Sequence, residues 1–326
     1  MAKLAKRTVK QLLRLLSLLL AVCIFSFWLM ECSPVDPVQA YVGAGAAVSP
    51  EQRESISRQW GLGESPARRF GSWAGSVLRG DLGDSLLYRR PVARVIGEKF
   101  TASLALMACA WVLSGVIGLL LGILMGLYRG GLLDRILKTI CLVLSSTPAF
   151  WVGMVLLAVF AVELGWFPVG LRVPPGIVES EATLLQRLHH LALPVLTLTI
   201  ASFGGVALQV REKMAAVMDS DYILFARARG ETKGQMVRRH ALRAVAVPAV
   251  TMQFASFGEL FGGSVLAEQV FSYPGLGQAA VQAGLGGDVP LLLGVALCGA
   301  VFVFTGNFLA DLLHSLLDPR VREGEA

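Results

Sequence analysis

Charge is scarce in this chain. Only 16% of its 326 residues are Asp, Glu, Lys or Arg, against 55% hydrophobic residues, and the mean hydropathy is positive. That balance excludes the two-domain soluble protein that the length alone would suggest. Catalytic signatures are missing too. No G-x-x-x-x-G-K-[ST] occurs, so this chain does not hydrolyse ATP by the P-loop route, and no H-E-x-x-H occurs. The five cysteines, Cys23, Cys32, Cys109, Cys141 and Cys298, include no C-x-x-C pair, and four lie inside apolar runs. They read as inert core thiols rather than a disulfide set or a metal site. Of the four histidines, His189 and His190 are adjacent, so on a helix they point about 100° apart and suit an interface better than a shared metal. His240 and His314 are isolated. With no nucleophile–base or metal constellation, a membrane-embedded enzyme has little support.

What is present is a series of long apolar runs. Leu15–Met30 follows five basic residues; Ser103–Tyr128, Thr139–Val162, Leu191–Val210, Ala244–Ala267 and Val289–Ala310 complete six candidate spans. The first resembles a signal peptide with a cleavage-like Val38-Gln39-Ala40, but that site lies far beyond the apolar run, which favours a retained first helix. Gly118, Gly122 and Gly126 give overlapping G-x-x-x-G spacing for close helix approach. Pro148 interrupts the third span. The stretches 129–138, 163–187 and 268–288 read as loops, and the last carries no Lys or Arg. Eighteen Lys and Arg fall in the N-terminal 14 residues, 129–138, 211–243 and the C-terminal tail. That side is expected to be cytoplasmic; the basic residues of the long polar insertion 31–102 do not count, because long loops escape the positive-inside rule. The basic residues track membrane topology and do not form a nucleic-acid patch. The expected organisation is a cytoplasmic N-terminus and first helix over 1–30, an extracytoplasmic insertion over 31–102, a five-helix core over 103–318 with a cytoplasmic loop at 211–243, and a tail over 319–326.

The most informative stretch is 219–248. Asp219 or Ser220 can N-cap a short helix, Gly230 is placed to end it, and Thr232 with Gln235 forms a T-x-x-Q capping box for a second helix running through His240. A compact helix–Gly–helix elbow on the basic side of a membrane protein reads as a docking surface. A basic loop that only obeys the positive-inside rule is the plainer reading of its charge. Ala226-Arg227-Ala228-Arg229-Gly230, His240-Ala241-Leu242-Arg243 and Pro248 resemble the EAA loop of binding-protein-dependent ABC importer permeases, most closely the dipeptide/oligopeptide/nickel branch. Phe225 stands where the wider superfamily has Glu, a departure common in that branch.

Further matches lie on both sides of the elbow. Arg79-Gly80-Asp81-Leu82-Gly83-Asp84-Ser85 with Pro91-Val92 resembles the family's G-D-L-G-x-S segment; the plainer reading is a polar turn before a helix. Gly262-Gly263-Ser264-Val265, Glu268-Gln269-Val270-Phe271 and Pro274-Gly275-Leu276-Gly277 resemble its G-G-x-V-x-x-E-x-V-F-x-x-P-G-L-G, the most specific match of all. Gly275-Leu276-Gly277-Gln278-Ala279-Ala280 alone also fits a dinucleotide fingerprint, but it lacks the preceding strand and βαβ context. Asp288, Asn307, Asp311 and Asp318-Pro319-Arg320 complete the pattern, with Gly287 replacing a more usual basic residue.

The resemblance implies an all-α, six-helix inner-membrane permease. It implies partners: a second similar permease, two cytoplasmic ATPase subunits that bind ATP-Mg, an extracytoplasmic solute-binding protein and membrane lipid. No cofactor or metal is implied for this chain. It implies that Tyr222, Phe225, Ala226, Arg227, Ala228, Gly230, His240, Arg243 and Pro248 couple to the ATPases. Gly262, Gly263, Glu268, Pro274, Gly275, Gly277 and Asp288 would lie along the pathway or its external gate. Glu259, an ionisable residue inside the fifth span, either lines the pathway or pairs with a partner or snorkels. The solute is peptide, nickel or a metal chelate. The rival class, a stand-alone ion-coupled transporter, would show paired broken helices and several buried ionisable residues.

Overall fold

The computed structural model describes residues 2–32, 38, 49–59 and 63–317. Asp318-Pro319-Arg320, residues 39–40 of the cleavage-like sequence and the tail over 319–326 lie outside the described residues. The described chain is nearly all helix. In order it forms α1 (Ala2–Glu31), α2 (Pro50–Gln59), α3 (Pro66–Leu78), a two-stranded hairpin of β1 (Asp84–Ser85) and β2 (Arg90–Pro91), and α4 (Val92–Leu127). Then come α5 (Leu132–Ser145), α6 (Ala149–Leu156) running into a π-helical turn Leu157–Glu163, α7 (Leu184–Met218) and α8 (Asp221–Ala228). After these follow α9 (Lys233–Met236) with a π-helical turn Val237–Ala241, α10 (Leu242–Ala255), α11 (Phe257–Val270), α12 (Leu276–Leu285) and α13 (Val289–Leu317).

Four of these helices, α1, α4, α7 and α13, are long and apolar enough to cross a membrane singly, and two bent pairs raise the number to six if each pair forms one span. The third and fifth of the expected spans are therefore helical but not straight. The third turns by 102° between Ser145 and Ala149, and the fifth by 55° between Ala255 and Phe257. Pro148 supplies the first break, since proline lacks the N–H that would continue the ladder and pushes the residue before it out of the helical region. The second break, at Ser256, carries no proline, and periodicity gave no sign of it. Loop expectations also need correction. Helix α5 begins at Leu132, so Arg135 and Lys138 are helical, and α12 occupies much of the expected 268–288 loop. Both α4 and α7 overrun their apolar cores: 36 residues at about 1.5 Å each exceed a hydrocarbon layer of about 30 Å.

The chain divides into two compact units. The larger comprises Leu104–Tyr273 and Thr305–Ala326. Its organising element is α7, which packs against α5, α6, α10 and α11. The G-x-x-x-G ridge of α4 faces this helix, as its spacing predicts. A Cβ on Gly118 would come within 2.7 Å of Val206, and one on Gly122 or Gly126 within 2.5 Å of Val210 or Met214. Removing side chains at these positions lets the backbones meet, the packing mode that replaces hydrophobic drive inside lipid. A Cβ on Gly204 would meet Ser145 Oγ at 2.3 Å, so α5 and α7 are equally close.

The smaller unit comprises Met1–Ser103 and Pro274–Phe304. Here α3 packs on the end of α1, with Phe70 edge-on to Phe27 at 5.3 Å between centroids and Arg69 paired to Glu31 at 2.9 Å. The G-D-L-G-x-S segment builds the hairpin. Gly80 and Gly83 take positive φ of 85° and 80°, Asp81 accepts from Gly83 N, and Val92 N bonds Gly83 O. Asp288 then clamps it. Its Oδ2 accepts from Ser85 Oγ at 2.6 Å and Leu87 N at 3.0 Å, while Oδ1 accepts from Leu291 N at 3.1 Å and so caps α13.

Candidate functional site

The elbow is built as its residues predict, with one difference at its start. Ser220 occupies the N-cap position of α8, but its hydroxyl turns back to Val217 O and makes no cap bond. At the far end Gly230 has φ +83°; Gly230 N bonds Arg227 O and Glu231 N bonds Ala226 O. This is the Schellman arrangement, which satisfies the last carbonyls of the helix and requires a left-handed residue. The capping box follows, Gln235 N bonding Thr232 Oγ1 and Thr232 N bonding Gln235 Oε1. His240-Ala241 sits in the π-helical turn that joins α9 to α10, a distortion often found at functional positions. His240 Nε2 lies 3.1 Å from Glu231 Oε2.

The two faces of α8 differ sharply. Ile223 and Ala226 are buried and pack with Met236, Val217 and Met218. Tyr222 is 49% exposed, Leu224 62% and Phe225 65%, with Arg227, Ala228 and Arg229 exposed beside them. A groove of about 500 Å³ runs past Tyr222, Phe225, Arg229 and His240. Ala226 is almost fully buried: it packs in the elbow's core with Met236 and also forms part of the wall of that groove. Arg243 is exposed, and Pro248 is half-buried inside α10.

Several charged contacts tie the 128–134 stretch to this region, and none was read from the sequence. Lys233 Nζ sits 4.8 Å from the centre of the Tyr128 ring, and Arg129 pairs with Asp219 at 3.2 Å. Asp134 accepts from Gly130 N and, through both oxygens, from the buried Arg211 at 2.6 and 2.8 Å; Arg211 also pairs with Glu212. The available signal was Asp134 as the lone acid in a basic segment.

A second site lies within the larger unit. A cavity of about 480 Å³ is bounded by both helix breaks, Ser145 and Ala149 on one side and Ala255 and Ser256 on the other, with α7 forming the opposite wall. Glu259 lines it from the first turn of α11 and is its only ionisable residue; Gly263 lines it as well. Gln253 is not part of it. Its amide donates to Trp111 O at 2.7 Å and Ser114 Oγ at 2.9 Å, and Trp111 Nε1 returns a bond to Gln253 O at 2.8 Å, holding the chain just before the break.

The remaining pathway candidates are scattered. Gly262 is exposed, whereas Glu268 is fully buried beside Tyr273. Burial pushes the Tyr273 hydroxyl up to about 12, against the pull of Arg172 and with help from Glu268. Pro274 is half-buried, Gly275 N-caps α12 and Gly277 is buried. Asp288, expected along the pathway or its external gate, is fully buried with its carboxylate occupied by the hairpin clamp. His189 and His190 bond two different carbonyls, Trp166 O and Gly170 O, each at 2.8 Å, and fasten the loop before α7.

Comparison with known proteins gives these features a context. Residues 118–323 match the family described as the binding-protein-dependent transport system inner membrane component. The chain belongs to that family. This permease is similar along nearly its whole length to an oligopeptide transport system permease protein, AppB, of Bacillus subtilis, at 30% identity over 96% of this chain and 98% of that protein. It is 35% identical to a putative peptide transport system permease protein of Brucella abortus, covering 96% and 98%. It is also 31% identical to a di/tripeptide transport system permease protein, DppB, of Pseudomonas aeruginosa, covering 92% and 94%. Among solved structures, an inward-facing form of the MetNI methionine ABC transporter aligns with TM-score 0.55 and 20% identity, over 69% of this permease and 97% of that chain. That likeness shows the all-α fold, and the family match makes the chain a multi-pass membrane permease. Two bent spans are also what a stand-alone secondary transporter would show, so helix geometry does not separate the classes; family membership does. As a binding-protein-dependent permease, the chain works with ATPase and substrate-binding partners.

Proposed function

We propose that this chain is one of two similar permease subunits of an ATP-driven peptide importer, coupled to its ATPases through α8. The observation that carries the coupling is the exposed Tyr222, Leu224 and Phe225 on a helix locked at its C-terminus by Gly230. An apolar patch on a rigid, basic-rimmed helix suits a groove on a soluble partner. Phe225 and Tyr222 anchor the contact, Arg227 and Arg229 form its rim, and Ala226 supports it from within. Two cytoplasmic ATPase subunits bind and hydrolyse ATP-Mg, and an extracytoplasmic binding protein delivers the solute. Both termini and the elbow are cytoplasmic, and the 31–102 insertion with its hairpin is external. Peptide is favoured over nickel by the names of the related permeases.

In mechanism, closure of the ATPases pushes α8. Because α8 is packed on Val217 and Met218 at the end of α7, and α7 walls the cavity, movement at the elbow reaches the cavity through rigid helices. The solute passes along the cavity between the two breaks, where interrupted helix is tolerated because it lines a cavity rather than lipid. The test is reconstitution of the permease with its cognate partners. ATP-dependent peptide uptake that disappears in Phe225→Glu, with membrane abundance intact, is the expected result. Full uptake by that variant would overturn the coupling assignment.

A further inference from the structure

We propose that Glu259 is a binding subsite for the protonated amino end of the solute as it crosses the membrane; this deepens the peptide-importer reading and rests on it. Glu259 is the only charged group in the cavity wall, and no Lys, Arg or His faces it there. Among the described residues it has neither an ion-pair nor a hydrogen-bond partner. It sits in the first turn of the 14-residue α11, near the positive end of the helix. An unpaired carboxylate in a span is costly unless a cation or water meets it. The cavity volume, about 480 Å³, falls within the range of about 300–1,000 Å³ typical of small-molecule sites.

The rest of the wall suits a peptide. Ser145, Ser202 and Gln209 offer hydrogen bonds to amides, and Leu198 and Met252 offer apolar surface to side chains. A peptide amino group, with a pKa of about 8, is mostly cationic at neutral pH. Glu259 attracts that end and repels the terminal carboxylate, so the solute crosses in one orientation. Every unblocked peptide carries that amine, whatever its side chains. A single carboxylate reading the one group common to all of them allows broad solute range with polarity preserved.

The test uses the complete importer in proteoliposomes, with trialanine and N-propionyl-dialanine as probes. The second is the same chain with the amino group replaced by hydrogen. Uptake is divided by the fraction of binding protein loaded with each probe, which removes the binding protein's own preference. A charge-assisted hydrogen bond predicts that the wild type carries trialanine about tenfold or more faster. Glu259→Gln should slow trialanine and bring the two probes to within about twofold, and Glu259→Asp should keep the preference. A second variant separates this inference from the pathway reading. A Cβ on Gly205 meets nothing within 4 Å, so Gly205→Trp places its ring in the cavity and should stop both probes. If Gly205→Trp blocks uptake while Glu259→Gln keeps the wild-type preference, the amine subsite is wrong and the pathway stands. Uptake at the wild-type rate through Gly205→Trp would contradict both. Failure of Glu259→Gln, but not Glu259→Asp, to co-purify with the partner permease would assign the carboxylate to subunit pairing and overturn the proposal.

Discussion

The hairpin and the elbow are both polar, turn-rich stretches next to spans, yet they treat their side chains in opposite ways. In the hairpin, a carboxylate is buried and every oxygen is used: Asp288 holds Ser85, Leu87 and Leu291. In the elbow, the guanidinium groups of Arg227, Arg229, Arg238 and Arg239 stay at the surface, and apolar rings, Tyr222 and Phe225, are left in the open. The hairpin satisfies itself. The elbow satisfies its backbone, through the Schellman turn and the capping box, but leaves a side-chain surface that only another molecule can cover. Buried polar groups are expensive unless bonded, so a saturated one marks scaffolding, whereas an exposed apolar patch on a rigid helix marks a contact.

Breaking the internal pairs should have the largest effect on stability. Asp134→Ala leaves the buried Arg211 guanidinium without its main partner, a loss of about 3–5 kcal/mol for a buried ion pair. Thermal unfolding of the purified permease should shift down strongly, and Asp134→Glu should recover part of it. Asp288→Ala is next: it strands the buried Ser85 hydroxyl, a loss of about 1–3 kcal/mol, and removes the acceptor of the Leu87 amide, so the hairpin should become protease-sensitive first. An unchanged melting temperature in this variant would place Asp288 outside the scaffold.

Much of this contrast was legible in the sequence. The Gly230 stop and the Thr232–Gln235 box each need only neighbours within a few residues, so local rules suffice. So do the six apolar runs and the G-x-x-x-G ridge. The break at Ser256 was hidden, because no proline or charge marks it; it is held by Trp111, 142 residues away from Gln253. Asp134–Arg211 is likewise a contact across 77 residues. Ala226 shows the limit of local rules: its small size fits a helix seated in a foreign groove and one pressed on its own methionine equally well.

Smaller stability effects are expected in the elbow. Gly230→Val forces a β-branched residue into the left-handed region at a cost of about 1–2 kcal/mol. Since its Cβ would meet no neighbour, the loss is in backbone geometry, and it should reduce ATP-driven uptake more than it lowers the melting temperature. Ala226→Trp should damage the elbow from within by crowding Met236, so increased proteolysis at the elbow should accompany its loss of coupling. Phe225→Ala should leave the isolated permease as stable as the wild type or slightly more so, because it removes exposed apolar surface.

The most direct test of the elbow as a docking surface is proximity. With the native cysteines removed, Phe225→Cys and, as the control in the external insertion, Ser57→Cys are combined with single cysteines along the candidate groove of the cognate ATPase. Oxidation in membranes should cross-link Phe225→Cys to the ATPase in a nucleotide-dependent way and leave Ser57→Cys uncoupled. Cross-linking at Ser57→Cys, or none at Phe225→Cys with both subunits assembled, would contradict the assignment.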